Sequence, residues 1–154
     1  MQHASSRLSP RTSRRHVTLV LLVVALALSG LPAPPVSADT RVVLNANDSG
    51  DDSLRKAIAD SALGDTIVFD ASLSDGTILL TEPLVVPRDH ILTIDGSALL
   101  LPLTLDGQGT QRVFEVSEGA TVTLRGLTIH AGFHAVEGGG ILSRGTLTVD
   151  ACDL

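Results

Sequence analysis

The chain has 154 residues, 44% hydrophobic but only 2% aromatic, with eleven basic against seventeen acidic side chains. That acidic balance excludes the basic patches a nucleic-acid backbone requires, and it offers no polybasic surface to anionic lipid. The single cysteine, Cys152, excludes an intrachain disulfide, and three Phe without Trp or Tyr argue against an aromatic platform for sugars or bases.

Residues 1–38 read as an export signal. Arg7, Arg11, Arg14 and Arg15 form a basic start, Val17 to Leu28 is an uncharged apolar run of twelve, and Val36-Ser37-Ala38 places small residues before a cleavage point after Ala38. Even extended to Leu31 the run is fifteen residues, short of the roughly 20 that a bilayer span needs. The Arg14-Arg15 pair also suits a twin-arginine signal as a minority route. Four of the eleven basic residues belong to this leader and none of the seventeen acidic ones, which leaves the mature chain at seven against seventeen, a formal charge of -10.

Beyond the leader, Arg41 to Leu44 is a short β-type run, and Asn45 to Asp52 is a turn-forming polar cluster. A helix follows: Asp52 or Ser53 caps it, Leu54, Ala57, Ile58 and Ala62 recur at helical spacing, and Gly64 ends it. Such a short amphipathic helix needs an apolar surface to lie on, and the open end of a sheet stack provides one. Short strands then fill the chain: Thr66–Phe69, Thr77–Leu80, Leu84–Val86, Ile91–Ile94, Leu103–Leu105, Val113–Val116, Thr121–Leu124, Leu127–Ile129, Ile141–Leu142 and Thr146–Val149. The pairs Asp75-Gly76, Asp95-Gly96, Asp106-Gly107, Glu118-Gly119 and Arg144-Gly145 stand between them as corners suited to positive φ.

A repeat links these strands. Thr121, Val122, Thr123, Leu124, Leu127 and Ile129 recur 25 residues later as Thr146, Leu147, Thr148, Val149, Cys152 and Leu154. An offset of this kind with its apolar positions kept marks units that bury their apolar face against their neighbours. The fold expected is all-β, a parallel β-helix with an N-terminal amphipathic capping helix; an antiparallel sandwich is the structural rival, since Asp-Gly turns also serve hairpins. Val122 should then lie over Leu147, and Leu127 over Cys152, at one strand spacing.

Asn47 to Asp60 followed by Gly64 to Asp70 resembles the CSLREAI-type opening of bacterial secreted right-handed parallel β-helix proteins. Gly138 to Val149 is similar to the Gly-Gly-[Ala/Ile]-Ile repeat of polymorphic outer-membrane and autotransporter-like surface proteins. Asp52 stands where the opening motif often has Cys, and Leu142-Ser143 where the repeat often has Tyr-Asn. The resemblance implies an exported cell-surface or extracellular protein, structural or adhesin-like, with carbohydrate or a host or cell-surface protein as partner. The domains expected are a signal peptide over 1–38, an N-terminal strand and capping helix over 39–65, and β-helix repeats over 66–154 that stop mid-repeat, as in part of a longer chain. The alternative is the N-terminal part of a polysaccharide lyase or hydrolase of the β-helix type.

Three clusters bear on chemistry. His130, His134 and Glu137 carry nitrogen and oxygen ligands, but Gly132 and the flanking strands disfavour the helical geometry that would aim both imidazoles at one zinc ion. Asp48, Asp51 and Asp52 suit calcium in ligand type but not in spacing, and turn formation with helix capping accounts for them. Asp95, Asp106, Arg112 and Arg125 are the residues that acid/base chemistry on a polysaccharide would recruit, although nothing in their spacing makes them converge. Cys152 falls on the core position of Leu127 and reads as a small buried hydrophobe. The expectation is no catalytic set, no cofactor and no metal.

Overall fold

The computed structural model describes residues 37–154. Of the export signal expected over 1–38, all but Ser37 and Ala38 lies outside the described residues. The elements run β1 (Thr40–Val43), α1 (Leu54–Asp60), β2 (Thr66–Phe69), a 3-10 turn (Ala71–Leu73), β3 (Thr77–Leu79), β4 (Leu84–Val86), β5 (Ile91–Asp95), β6 (Leu103–Asp106), β7 (Phe114–Val116), β8 (Thr121–Arg125), β9 (Leu127–His130), β10 (Ile141–Ser143) and β11 (Thr146–Asp150).

From β2 onward, every third strand returns to the same sheet. The first sheet has the order β1-β2-β5-β8-β11, the second β3-β6-β9 and the third β10-β7-β4, and each strand pair is parallel. The chain therefore winds as a right-handed parallel β-helix, the hand that parallel crossovers take. Thr121 to Leu124 pair with Thr146 to Val149 in the same direction, which sets Val122 beside Leu147 and rules out the sandwich. A parallel bridge from Thr128 to Asp153 carries that register onward and brings Leu127 next to Cys152.

Alternation along each strand divides inside from outside. Ile67, Ile94, Leu124 and Val149 stack in register on the inner side of the first sheet, Ile78, Leu105 and Ile129 in the second, and Leu84, Phe114 and Ile141 in the third. Each fully buried aliphatic side chain in such a column contributes about 1.5–3 kcal/mol. The outer side of the first sheet carries a matching column of hydroxyls, Thr66, Thr93, Thr123 and Thr148. Val149 is 37% exposed while Ile67, Ile94 and Leu124 are wholly buried, because β11 has a neighbour on one side only.

At the other end α1 stands where the first turn would otherwise place strands of the second and third sheets. It packs on β1, β2 and β4 and buries Leu54 and Ile58. Its cap is Ser53, whose Oγ accepts from the Lys56 N–H at 3.2 Å and donates to the Gly50 carbonyl at 2.7 Å. Asp52 instead takes a left-handed conformation, φ 58°, and its carbonyl accepts from the Leu44 N–H at 3.0 Å. The helix closes at Ser61 rather than at Gly64, with the Ser61 hydroxyl returning to the Ile58 carbonyl at 2.7 Å.

The corners depart from expectation in their reason for glycine. Positive φ falls on Asp75 and Gly119, whereas Gly96 does not adopt it. A Cβ at Gly96 would lie 2.8 Å from the Gly126 carbonyl oxygen of the next turn, so close stacking of turns excludes any side chain there.

Candidate functional site

The residues of the N-terminal motif form one connected polar cluster. Arg55, on the first turn of α1, donates from Nη2 to Asp48 Oδ1 at 2.5 Å and to the Glu82 carbonyl at 2.7 Å. Its Nη1 reaches the Pro83 carbonyl at 2.8 Å and its Nε the Asp48 carbonyl at 3.2 Å. Asp48 Oδ2 accepts from the Thr81 hydroxyl at 2.5 Å. Burial pushes the Asp48 carboxyl upward, but the Arg55 and Thr81 hydrogen bonds and the Arg55 charge outweigh it and hold the group below the ordinary range. Asp48 thus ties the polar loop to the β3–β4 corner through Arg55. Asp51 contributes its backbone carbonyl to Asn45 Nδ2 at 3.0 Å, and the three aspartates of this loop do not converge as a metal site would require.

A second carboxylate, Asp65, is 1% exposed. Its Oδ1 accepts from the Asp39 N–H at 2.9 Å, and its Oδ2 from the Ala62 N–H at 2.8 Å and from Arg41 Nε at 2.9 Å. Those two backbone donors first, and Arg41 after them, lower its pKa. Asp65 follows Gly64 in the Gly-Asp-Thr segment, and sequence reasoning assigned it no role; an Asp just ahead of the first full turn was the available signal.

Along the outer faces, charges pair between turns. Arg125 lies between Asp95 at 4.0 Å and Asp150 at 3.5 Å, its register neighbours on either side in the first sheet. Hydrogen bonding by Ser97 first, then the Arg125 charge, keeps the Asp95 carboxyl below its usual value despite partial burial. Arg144 reaches Glu115 at 2.5 Å, and Arg88 reaches Glu118 at 2.7 Å. Asp95 and Arg125 are therefore brought together, which their spacing did not show. Asp106 is not part of that group; it pairs with His130, Nδ1 to Oδ2 3.6 Å, at the end of the second sheet. Arg112 is separate again, donating to the Glu137 and Gly138 carbonyls at 2.9–3.2 Å.

The His130, His134 and Glu137 cluster is not assembled. His134 Nδ1 faces the backbone N–H groups of Val136 and Glu137 at 3.3 Å each, so it closes its own turn. Among the described residues no group of three His, Cys, Asp or Glu converges as a metal site would require. Cys152 packs against the core but is only partly buried, with Sγ 3.5 Å from the Asp150 carbonyl. A groove of about 400 Å³ between α1 and β4 is lined by Ile58, Ala59, Pro83, Val85 and Pro87 together with the already occupied Arg55. No helix among the described residues is long and apolar enough to cross a membrane.

What these features define is a parallel β-helix with an ion-paired outer surface. No protein-family model matches the chain, and no curated protein matches it. Among solved structures it is similar to a PL6-family alginate lyase, AlyGC, in an arginine-to-alanine mutant form, with 19% identity and a TM-score of 0.54. The match covers 80% of this chain and 17% of that one. At such identity the likeness is one of fold.

Proposed function

We propose that this chain is an exported cell-surface or extracellular β-helix protein with a structural or adhesin-like role, of the kind that the CSLREAI-type opening and the Gly-Gly repeat resemble. The observation that carries this reading is the pairing of the outer charges. Arg125 is held between Asp95 and Asp150, Arg144 by Glu115 and Arg88 by Glu118. Side chains engaged with the next turn brace a stack of turns. The outer hydroxyl column of Thr66, Thr93, Thr123 and Thr148 offers donors and acceptors at one strand spacing, about 4.8 Å. A neutral glycan or a protein surface is the partner such a face suits, since the mature chain is acidic. Expression of the full chain in a bacterial host, followed by surface labelling and by binding to a panel of neutral glycans and host-surface proteins, tests the proposal. Retention in the cytoplasm, or export without binding to any of the panel, speaks against it.

A second reading, the N-terminal part of a polysaccharide lyase or hydrolase, draws on one observation besides the fold of the alginate lyase. Asp95, Arg125 and Asp150 meet on one face. Release of unsaturated uronate from an acidic polysaccharide supports this reading against the first.

A further inference from the structure

Among the described residues, ordered hydrogen bonding starts at a particular nitrogen. Ser37 and Ala38 are exposed and outside any strand. Asp39 is the residue at which the backbone engages the coil: its N–H donates to Asp65 Oδ1 at 2.9 Å, and its carbonyl accepts from the Thr66 N–H at 2.8 Å, one residue ahead of the β1–β2 ladder. The peptide bond between Ala38 and Asp39 is also the one that the leader pattern marks for cleavage. Two independent readings, one of leader composition and one of backbone anchoring, fall on the same bond.

We propose that cleavage between Ala38 and Asp39 releases an α-ammonium group at Asp39 that docks on the buried Asp65 carboxylate and completes the first turn of the coil. This rests on the export reading above. In the hydrolysis water supplies a hydroxyl to the Ala38 carbonyl carbon and a proton to the departing Asp39 nitrogen, and the free amine then takes a further proton from solvent. A single amide N–H becomes a group with three N–H donors and a full positive charge, at the position already occupied by the amide nitrogen.

Asp65 suits that cation. It is 1% exposed, and Arg41, a third exposed, is its one cationic partner among the described residues. A carboxylate has about four acceptor sites, of which Asp39, Ala62 and Arg41 use three. The amide of Asp39 already makes a hydrogen bond assisted by the carboxylate charge; an ammonium in its place adds the direct attraction of opposite charges, so the new terminus stabilises the pairing of β1 with β2 more than the intact peptide does. The adjoining cleft is lined by Asp39, Arg41, Asp52, Lys56 and Asp60. Lys56 is neutralised by Asp60, and the Asp39 carboxylate, itself bonded to the Thr40 N–H at 2.9 Å, adds a second negative group beside the terminus. The order of events also follows: both polar backbone atoms of Asp39 are engaged once β1 has docked, so a peptidase acts before the first turn closes.

The mature chain has one lysine, Lys56, so an α-amine can be followed against a single internal standard. The full chain is exported, the purified product is sequenced from its N-terminus, and trace acetylation by acetic anhydride is measured against pH for the α-amine and for Lys56, in the native protein and in urea. The expected result is a product that begins at Asp39 and an α-amine that labels at least tenfold more slowly in the native state than in urea near neutral pH. This corresponds to a rise of about one unit or more above the ordinary value of about 7.7–8. Asp65→Asn should restore ordinary labelling; should that variant not fold, the comparison of native with urea-unfolded wild type needs no variant. A first residue other than Asp39 overturns the proposal through its processing site. A product that starts at Asp39 but labels equally fast native and unfolded overturns it through the docking, and leaves the export reading standing.

Discussion

Val122 and Leu147 lie side by side in adjacent parallel strands and both face the core, yet Val122 is fully buried and Leu147 only partly. The difference is positional: β8 is flanked by β5 and β11, whereas β11 has β8 alone. Val122→Ala is expected to cost about 2 kcal/mol and Leu147→Ala less than about 1 kcal/mol, although leucine loses more atoms. Urea denaturation of the two variants checks this. Amide exchange should be faster in β11 than in β8.

Arg55 joins three separate segments through one guanidinium, so its loss uncouples the polar loop, the helix and the β3–β4 corner together. Arg55→Ala should destabilise the protein by about 1.5–3 kcal/mol, the range for hydrogen bonds to charged groups in partly buried positions. Arg55→Lys should recover little, because an ammonium lacks the fork that reaches Asp48, Glu82 and Pro83 at once. Chemical denaturation of both variants is the measurement.

Acid should loosen the N-terminal end first. Asp65 and Asp48 both have folded-state pKa values lowered below their unfolded ones. Groups shifted in that direction contribute stability that is fully present above the unfolded value, about 3.9, and lost as pH falls through the folded one. Stability should therefore be flat with respect to these two groups from about pH 5 upward and fall below about pH 4. Asp65→Asn should flatten that acid limb, which thermal unfolding across the pH series would show.

Ile58 is 3% exposed on the face of α1 that covers the coil. Ile58→Asp sets an unpaired carboxylate against that apolar surface, a change worth several kcal/mol. The bared sheet end should then recruit other chains. Light scattering should detect association in this variant; a monomer as stable as wild type would show that α1 is not a cap.

Strand positions were legible because alternation and corners repeat: β2 and β4 match their expected bounds, and most others differ at one end only. Five of the extra residues at the strand ends, Asp95, Asp106, Arg125, His130 and Asp150, carry ionisable side chains, and only the pairing of turns shows why such residues prolong a strand. The 25-residue offset was readable in the last repeat alone. Thr93 pairs with Thr123, 30 residues on, while Thr104 pairs with Thr128, 24 residues on. Loops of unequal length at the corners hide the constant register. For the same reason the meeting of Asp95 with Arg125 could not be seen in their spacing, and the 3-10 turn at Ala71–Leu73, capped by Asp70, went unread. The helix was legible in its buried face but not in its end, since Ser61 closes it through a hydroxyl that periodicity does not register.

If, as proposed, the outer ion pairs brace the coil and do not carry out chemistry, Arg125 is where the two roles separate. The direct measurement incubates exported wild-type protein and its Arg125→Ala variant with alginate and pectate, with and without calcium, and follows the ultraviolet absorbance of the unsaturated uronate that a lyase leaves. The bracing role predicts no product from either protein, and a stability loss in the variant of no more than about 1 kcal/mol, as expected for partly exposed pairs. Product formed by the wild type and abolished in Arg125→Ala would contradict it.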